Sequence, residues 1–489
     1  MISGSAVRPS LRISIVFFCL AATAPLMRAQ IAAWPLDGPA FSASPQAIQA
    51  AAAKIPAEKF AAATVLYEEE DFTLDAAGRL TNTHRMVYRI ETAAGVQGWS
   101  EASVEWEAFY QDAPQIRARV IQPDGSVTEL DQKTVTDVAA QNEGDGTYSD
   151  DRMHEAPLPA LSPGVIVEVE TICADKEPYF TAGGAYRNYF QRMVPVIRSK
   201  MVVEAPAGTP LEYKSAWLPD LVTKDETSHG VRRVTFDQGH LDGWTNEDIN
   251  LASDHPRVPW VEFSTGKSWA EIVASYEQLA APQIQADAVK SLLPANPPQD
   301  RNALIAMLVA SLHENVRYTG IEFGKARLQP QTSAQILERH YGDCKDKASL
   351  LVAMLRAAGI EAHMALLDAG PGLDVVPDLP GINLFDHAIV YVPASQGEGP
   401  LWIDATAEYT RVGDIPYPDQ GREALIIAKD TTGLTLTPEA APQDSVLVET
   451  RKFLLGDYGP AHAIETSETS GYIDANYRGY YGDSSSRNA

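Results

Sequence analysis

The stretch Tyr341-Gly342-Asp343-Cys344-Lys345-Asp346-Lys347 sets a cysteine among residues that begin a helix. Asp343 is a favoured N-cap, and Asp346, three positions on, makes an acidic variant of the capping box. Leu351, Met354, Leu355 and Ala358 then recur at helical spacing, and Gly359 supplies a stop. Cys344 is therefore expected in the first turn of a buried helix of about four turns. Unpaired N–H groups and the helix dipole favour a thiolate at such a position, and Lys345 and Lys347 add positive charge. A cysteine placed this way can act as a nucleophile. A small buried core residue is the other reading, because free cysteines usually go there.

Cysteine acyl transfer needs an imidazole to activate the sulfur and a third group to orient the imidazole. His387 opens Asp386-His387-Ala388-Ile389-Val390-Tyr391-Val392, where alternation puts His387, Ile389 and Tyr391 on one face of a strand. Leu401-Trp402-Ile403-Asp404 reads as a second short strand. If the two pair antiparallel through a turn at Ser395–Gly399, His387 and Asp404 stand side by side. The bland alternative is a surface histidine and a strand-end aspartate in a turn.

Taken together, Tyr341-Gly342-Asp343-Cys344-Lys345-Asp346-Lys347-Ala348, Asp386-His387-Ala388 and Trp402-Ile403-Asp404-Ala405-Thr406 resemble the core of bacterial transglutaminase-like proteins, over roughly residues 260–430. The resemblance implies a papain-like α+β core. It implies Cys344 as nucleophile, His387 as base and acid, and Asp404 as the orienting carboxylate. An oxyanion hole is then needed, with the Cys344 N–H as first donor. Papain-like sites often place a glutamine as the second, and Gln329 in Arg327-Leu328-Gln329-Pro330 is the candidate, a polar loop residue being the alternative.

The elements that must position these residues belong to a multi-domain chain. Residues 1–29 have the layout of a secretory signal peptide, with Arg8 and Arg12 before an apolar run from Ile13 to Ala22 and cleavage expected after Ala29. An Ala-rich helical lead-in follows at 30–63. Residues 64–255 read as a mostly antiparallel β domain, from alternating runs such as His84–Ile90 and Ile116–Ile121 and from the turn Gln122-Pro123-Asp124-Gly125. Within it Gln141–Asp151, polar and Gly-rich, is expected as a mobile loop. Residues 256–430 turn helical, with caps at Ser268 and Asp300, and then return to strands, which indicates an α+β core. The last part, 431–489, is expected as a short, incomplete β segment. The β-rich first half resembles the domain of unknown function often found ahead of such cores.

Lys+Arg 39 against Asp+Glu 65 gives a net charge of −26, which argues against nucleic acid or an anionic membrane as partner. Beyond the leader no stretch nears ~18 unbroken apolar residues, so no transmembrane span is expected after processing. No Cys-x-x-Cys or His-Glu-x-x-His occurs, and neither metal nor cofactor is expected. Glu68-Glu69-Glu70-Asp71 reads as solvated surface. Of three cysteines, Cys173 and Cys344 survive removal of the leader and could pair with each other.

These readings converge on a periplasmic or secreted cysteine acyl-transfer enzyme acting on peptide or glutamine-type amides. Hydrolysis is favoured by analogy over crosslinking, and deamidation is also open. The competing reading is a catalytically silent scaffold whose β domain binds an envelope partner, a peptide or a glycan.

Overall fold

The computed structural model describes residues 34–140, 147–244, 257–395 and 397–482; the expected leader lies outside them. The alternating segments of the first half are strands. His84–Ile90 falls in Leu80–Ile90, and Ile116–Ile121 falls in Gln111–Ile121, which turns back into Val127–Glu129 through Gly125 at φ +84°. A side chain at that φ is strained, so glycine is needed. Eight strands form one sheet in the order Val222–Ser228, Val231–Gln238, Ser199–Pro206, Ala63–Leu74, Leu80–Ile90, Ile166–Asp175, Gln111–Ile121, Val127–Glu129. All neighbours are antiparallel except Ala63–Leu74 and Ser199–Pro206, which run parallel. Alternation splits each strand between two cores: Val120 and Val167 pack on one face, while Ile121 and Ile166 pack under the lead-in helix Pro45–Ala52 through Ile48 and Ala52.

Three segments depart from expectation. Glu68, expected in solvent, is 4 % exposed in the middle of the sheet. His84 holds it at 2.8 Å, and Arg192 pairs with it as well, so its buried charge is matched. Of Gln141–Asp151, residues 141–146 lie outside the described residues, but Thr147–Ser149 is a strand. Finally, Trp260–Ser264 is the middle strand of a three-stranded sheet with Ala185–Tyr189 and Glu212–Ala216, so chain beyond the composition shift completes a sheet of the first half.

In the second half Ser268 and Asp300 cap the helices Trp269–Ala280 and Arg301–Asn315 as their sequence signals indicate. The helix Cys344–Ala357 is buried along its length from Cys344 to Leu355. Around it, Leu308, Leu312 and Ile336 of the other helices and Ala388, Val390 and Ile403 of a five-stranded sheet form one core. That sheet runs Leu401–Ile403, His387–Val392, His363–Leu367, Glu423–Ile426, Thr435–Leu436. Leu351 is fully buried there, so Leu351→Ala should cost about 2–5 kcal/mol of stability, read from urea unfolding. A loss below about 1 kcal/mol would mean the helix is not the keystone of this core.

At the end of the chain, Leu447–Leu454 and His462–Thr469 form a hairpin, as the β reading expected. The tyrosine-rich stretch after it is instead a helix, Gly471–Gly482. Among the described residues, no helix is long and apolar enough to cross a membrane.

Candidate active site

Asp343 caps the Cys344 helix from extended backbone, its carboxylate accepting the Asp346 N–H at 3.1 Å. Cys344 is the first helical residue, so its N–H is among the four with no partner inside the helix. Asp346 turns outward to accept the Gln331 N–H at 2.7 Å, tying the helix start to the preceding loop. Burial and the neighbouring Asp343 push the Asp346 carboxyl up to about 7.

The two lysines behave differently from the sequence expectation of free positive charge. Lys345 Nζ lies 2.5 Å from Asp343 and 3.2 Å from Glu322, so its charge is matched by carboxylates. Lys347 Nζ sits 3.3 Å from His313 Nδ1, and burial lowers its pKa against the pull of Asp404 and Glu408. His313 is pushed down to about 4 by burial and by Lys347.

His387 begins its strand opposite Leu367, and Asp404 directly follows Leu401–Ile403. The two strands are antiparallel neighbours, with Val390 opposite Ile403 and Val392 opposite Leu401. This brings His387 Nε2 to 3.4 Å from Asp404 Oδ1. The Thr406 N–H and hydroxyl both donate to that same Asp404 oxygen at 2.8 Å, fixing the carboxylate. With Nε2 turned to Asp404, Nδ1 is the ring atom left for Cys344. Burial pulls the His387 pKa down, but the charge of Asp404, the hydrogen bond to it and the Cys344 side chain outweigh that and raise it well above its ordinary value. Asp404 shows the converse: burial pushes its carboxyl up, yet His387 and the Thr406 donors hold it below the usual range.

Cys344 and His387 face one cavity of about 220 Å³. Its walls are aromatic through Tyr179, Tyr276 and Phe385 and aliphatic through Leu328, Leu366 and Ile382, with Glu322, Arg327, Lys345 and Asp386 as charged members. Arg327 and Leu328 line it, whereas Gln329 is the next residue along and is not part of the wall. Cys173 and Cys344 are both free, so the disulfide reading is not realised. Cys173 stands in the β domain opposite Asn82, where burial and nearby carboxylates push its thiol up to about 12.

The fold also brings in a carboxylate that no sequence spacing announced. Ligand atoms of His387, Asp404 and Asp419 all lie within 4.8 Å of one another, the one such group of donors among the described residues. Asp419 sits in a short 3₁₀ turn, 2 % exposed, and its Oδ2 has no hydrogen-bond partner. Burial first, and then the charge of Asp404, push its carboxyl up to about 7. Two carboxylates this close to one imidazole do not both ionise readily, so Asp419 is the neutral acid of the group at lower pH. The folded state then holds a proton that the unfolded chain has released between about pH 4 and 7, and stability falls as pH rises through that window. Asp419→Asn should flatten this slope, read from thermal unfolding across pH; an unchanged slope would return the titration to another group.

Comparison with known proteins bears on both halves. Residues 76–244 match DUF3857, a domain of unknown function with a solved structure, and residues 293–372 match the transglutaminase-like superfamily. The second match includes Cys344 and stops short of His387 and Asp404. A crystal structure of a candidate protease from Parabacteroides distasonis superposes with a TM-score of 0.62 at 15 % identity, covering 78 % of this chain and 72 % of that one. Two others superpose at scores too low to support a fold argument. One is a candidate cysteine protease from Cytophaga hutchinsonii, at TM-score 0.19 and 10 % identity, covering 80 % of this chain and 90 % of that one. The other is an M1 zinc metallopeptidase from Deinococcus radiodurans, at 0.23 and 12 %, covering 41 % and 42 %. No curated protein matches the sequence.

Proposed function

Because this chain carries a transglutaminase-like core behind a DUF3857 domain, we propose that it is a cysteine acyl-transfer enzyme of the bacterial envelope that cleaves peptide or glutamine-type amides. The observation that carries the reading is that Cys344 at a helix start and His387 on a strand face one cavity, with Asp404 at the end of the paired strand 3.4 Å from His387. His387 takes the Cys344 thiol proton as the sulfur attacks the amide carbonyl carbon, and the oxyanion gathers at the Cys344 N–H. As the tetrahedral intermediate collapses, the C–N bond breaks and His387 gives its proton to the departing amine. A thioester remains. Water then attacks it, His387 takes the water's proton, and the C–S bond breaks to release the acid and restore the thiol.

Water rather than a second amine as acceptor is the choice supported by the protease description of the Parabacteroides distasonis structure. Gln329, next along the chain from the cavity-lining Leu328, is the second oxyanion donor we propose. Gln329→Ala should then lower the rate by about 10²-fold, and an unchanged rate removes it from the site. Export through the leader at 1–29 places the enzyme in the periplasm or outside the cell.

Alkylation tests the nucleophile without a known substrate. Cys344 and Cys173 are both 8 % exposed, so access does not distinguish them. Iodoacetamide at neutral pH should modify Cys344 and spare Cys173, whose thiol stays protonated, and His387→Ala should suppress the Cys344 reaction. Equal inertness of the two thiols would favour a scaffold that binds without turnover.

A further inference from the structure

The contacts between the two halves concentrate on two segments, and both line the cavity. The first is the approach to Cys344, residues 320–328. The strand Gly320–Glu322 pairs in parallel with Thr147–Ser149 of the β domain. The Gly324 N–H donates to Asp150 Oδ2 at 3.1 Å. Arg327 Nη1 reaches both oxygens of Asp151, at 2.7 and 2.9 Å, and Nε lies 3.1 Å from Glu107 Oε2.

The second segment is the approach to His387, residues 373–385. Asn383 and Ala185 exchange two hydrogen bonds, Asn383 Nδ2 donating to the Ala185 carbonyl at 2.7 Å and the Ala185 N–H donating to Asn383 Oδ1 at 2.8 Å. Arg187 donates to the carbonyls of Leu373 and Asp374 at 2.6 and 2.7 Å. At Gly381 the backbones come so close that a Cβ would lie 2.2 Å from the Ala185 nitrogen. Only glycine admits that approach.

The β domain also enters the cavity itself. Tyr179, between Ile166–Asp175 and Ala185–Tyr189, lines it together with Cys344 and His387. Its ring packs edge-on against Tyr110 with centroids 5.0 Å apart, and it shares the cavity wall with Arg327, the residue that Glu107 and Asp151 hold and whose charge acts on the Tyr179 hydroxyl.

From this geometry we infer that the β domain is one wall of the active-site cleft, and that Tyr179 selects substrates whose acyl residue is aromatic or broadly apolar. Glu107 and Asp151 are positioning residues, acting through Arg327 on the Tyr179 ring. An aromatic wall favours planar or apolar groups by stacking and area burial. Tyr276, Phe385, Leu328, Leu366 and Ile382 add apolar surface to the cavity, beside the polar Glu322, Lys345, Asn383 and Asp386. Arg327 offers little to an anionic substrate, because two carboxylates already face it.

The inference rests on Cys344 being the nucleophile, and the test separates the two. Full-length mature protein would be alkylated with iodoacetamide and with iodoacetanilide, its N-phenyl analogue, and the ratio of rates at Cys344 compared with that of glutathione. Wild-type protein should prefer the aromatic reagent by about two- to tenfold over the glutathione ratio. Tyr179→Phe, which keeps the ring and loses the hydroxyl that faces Arg327, should reduce that preference, and Tyr179→Ala should lose it. Asp151→Asn should reduce it while the iodoacetamide rate holds, a split that general destabilisation does not produce. A preference intact in Tyr179→Ala, or absent in wild-type protein, overturns the inference alone. Failure of both reagents to modify wild-type Cys344 overturns the nucleophile and this inference together.

Discussion

Cys344→Ala should leave a folded protein whose turnover of peptide amides falls by about 10⁴-fold or more. In the proposed mechanism sulfur is the atom on which the thioester forms, and no other side chain of the cavity can replace it at neutral pH. The fold should tolerate the change. Alanine is the best helix former, Asp343 still caps the first turn, and the helix remains packed by Leu350, Leu351, Met354 and Leu355. Initial rates on a peptide-amide library, beside circular dichroism of both proteins, measure the effect. A variant keeping a tenth of wild-type turnover would remove Cys344 from the chemistry.

Asp404→Asn should lower turnover by on the order of 10³- to 10⁴-fold, and should also move the alkaline limb of the rate profile toward lower pH. Burial by itself lowers the His387 pKa, and the Asp404 charge is the largest influence opposing it. With the carboxylate gone, burial is less opposed and the imidazolium loses its proton at lower pH. Since that proton goes to the leaving amine, activity is lost earlier as pH rises.

The same pair sets a stability window. The raised His387 pKa contributes stability that is fully present below about pH 6.5 and lost as pH rises through the folded value. The lowered Asp404 pKa contributes stability present above about pH 3.9 and lost as pH falls through its folded value. An alkaline limb that stays in place in Asp404→Asn would mean that Asp404 does not govern the protonation of His387.

Signals that act within a turn or along one strand were readable from the chain. Caps at Ser268, Asp300 and Asp343 start helices where their side chains meet the first free N–H groups. Alternation at His84–Ile90, Ile116–Ile121 and His387–Val392 makes strands because one period-2 pattern can be buried on a sheet face. The antiparallel pairing of His387–Val392 with Leu401–Ile403 was readable too, because the two are close in sequence and a short turn leaves few other partners.

Other features depended on which distant surfaces remained to be covered, and no local pattern encodes that. The parallel pairing of Ala63–Leu74 with Ser199–Pro206 is one, and the placing of Trp260–Ser264 between Ala185–Tyr189 and Glu212–Ala216 is another. Glu68 read as a surface charge because its partners, His84 and Arg192, reach it only after the sheet and its flanking segment assemble. Lys345 read as positive charge added beside Cys344; Asp343 meets it locally, and its pairing with Glu322 depends on another segment.

The cavity divides in the same way. Residue types and helix capping placed Cys344 at a helix start, and strand alternation with a short turn set His387 beside Asp404. Tyr179, Arg327 and Asp419 lie at the ends of turns and loops whose own sequences carry no period. Tyr179 and Arg327 reach the cavity because two separately buried cores are locked together along 320–328 and 373–385, while Asp419 meets His387 and Asp404 from its 3₁₀ turn within the second half. The chain alone thus specified where the proposed reacting groups stand on their elements, through short-range hydrogen bonding and strand period. Tertiary packing decided what surrounds them, because burial of one domain against the other chooses which loops become walls.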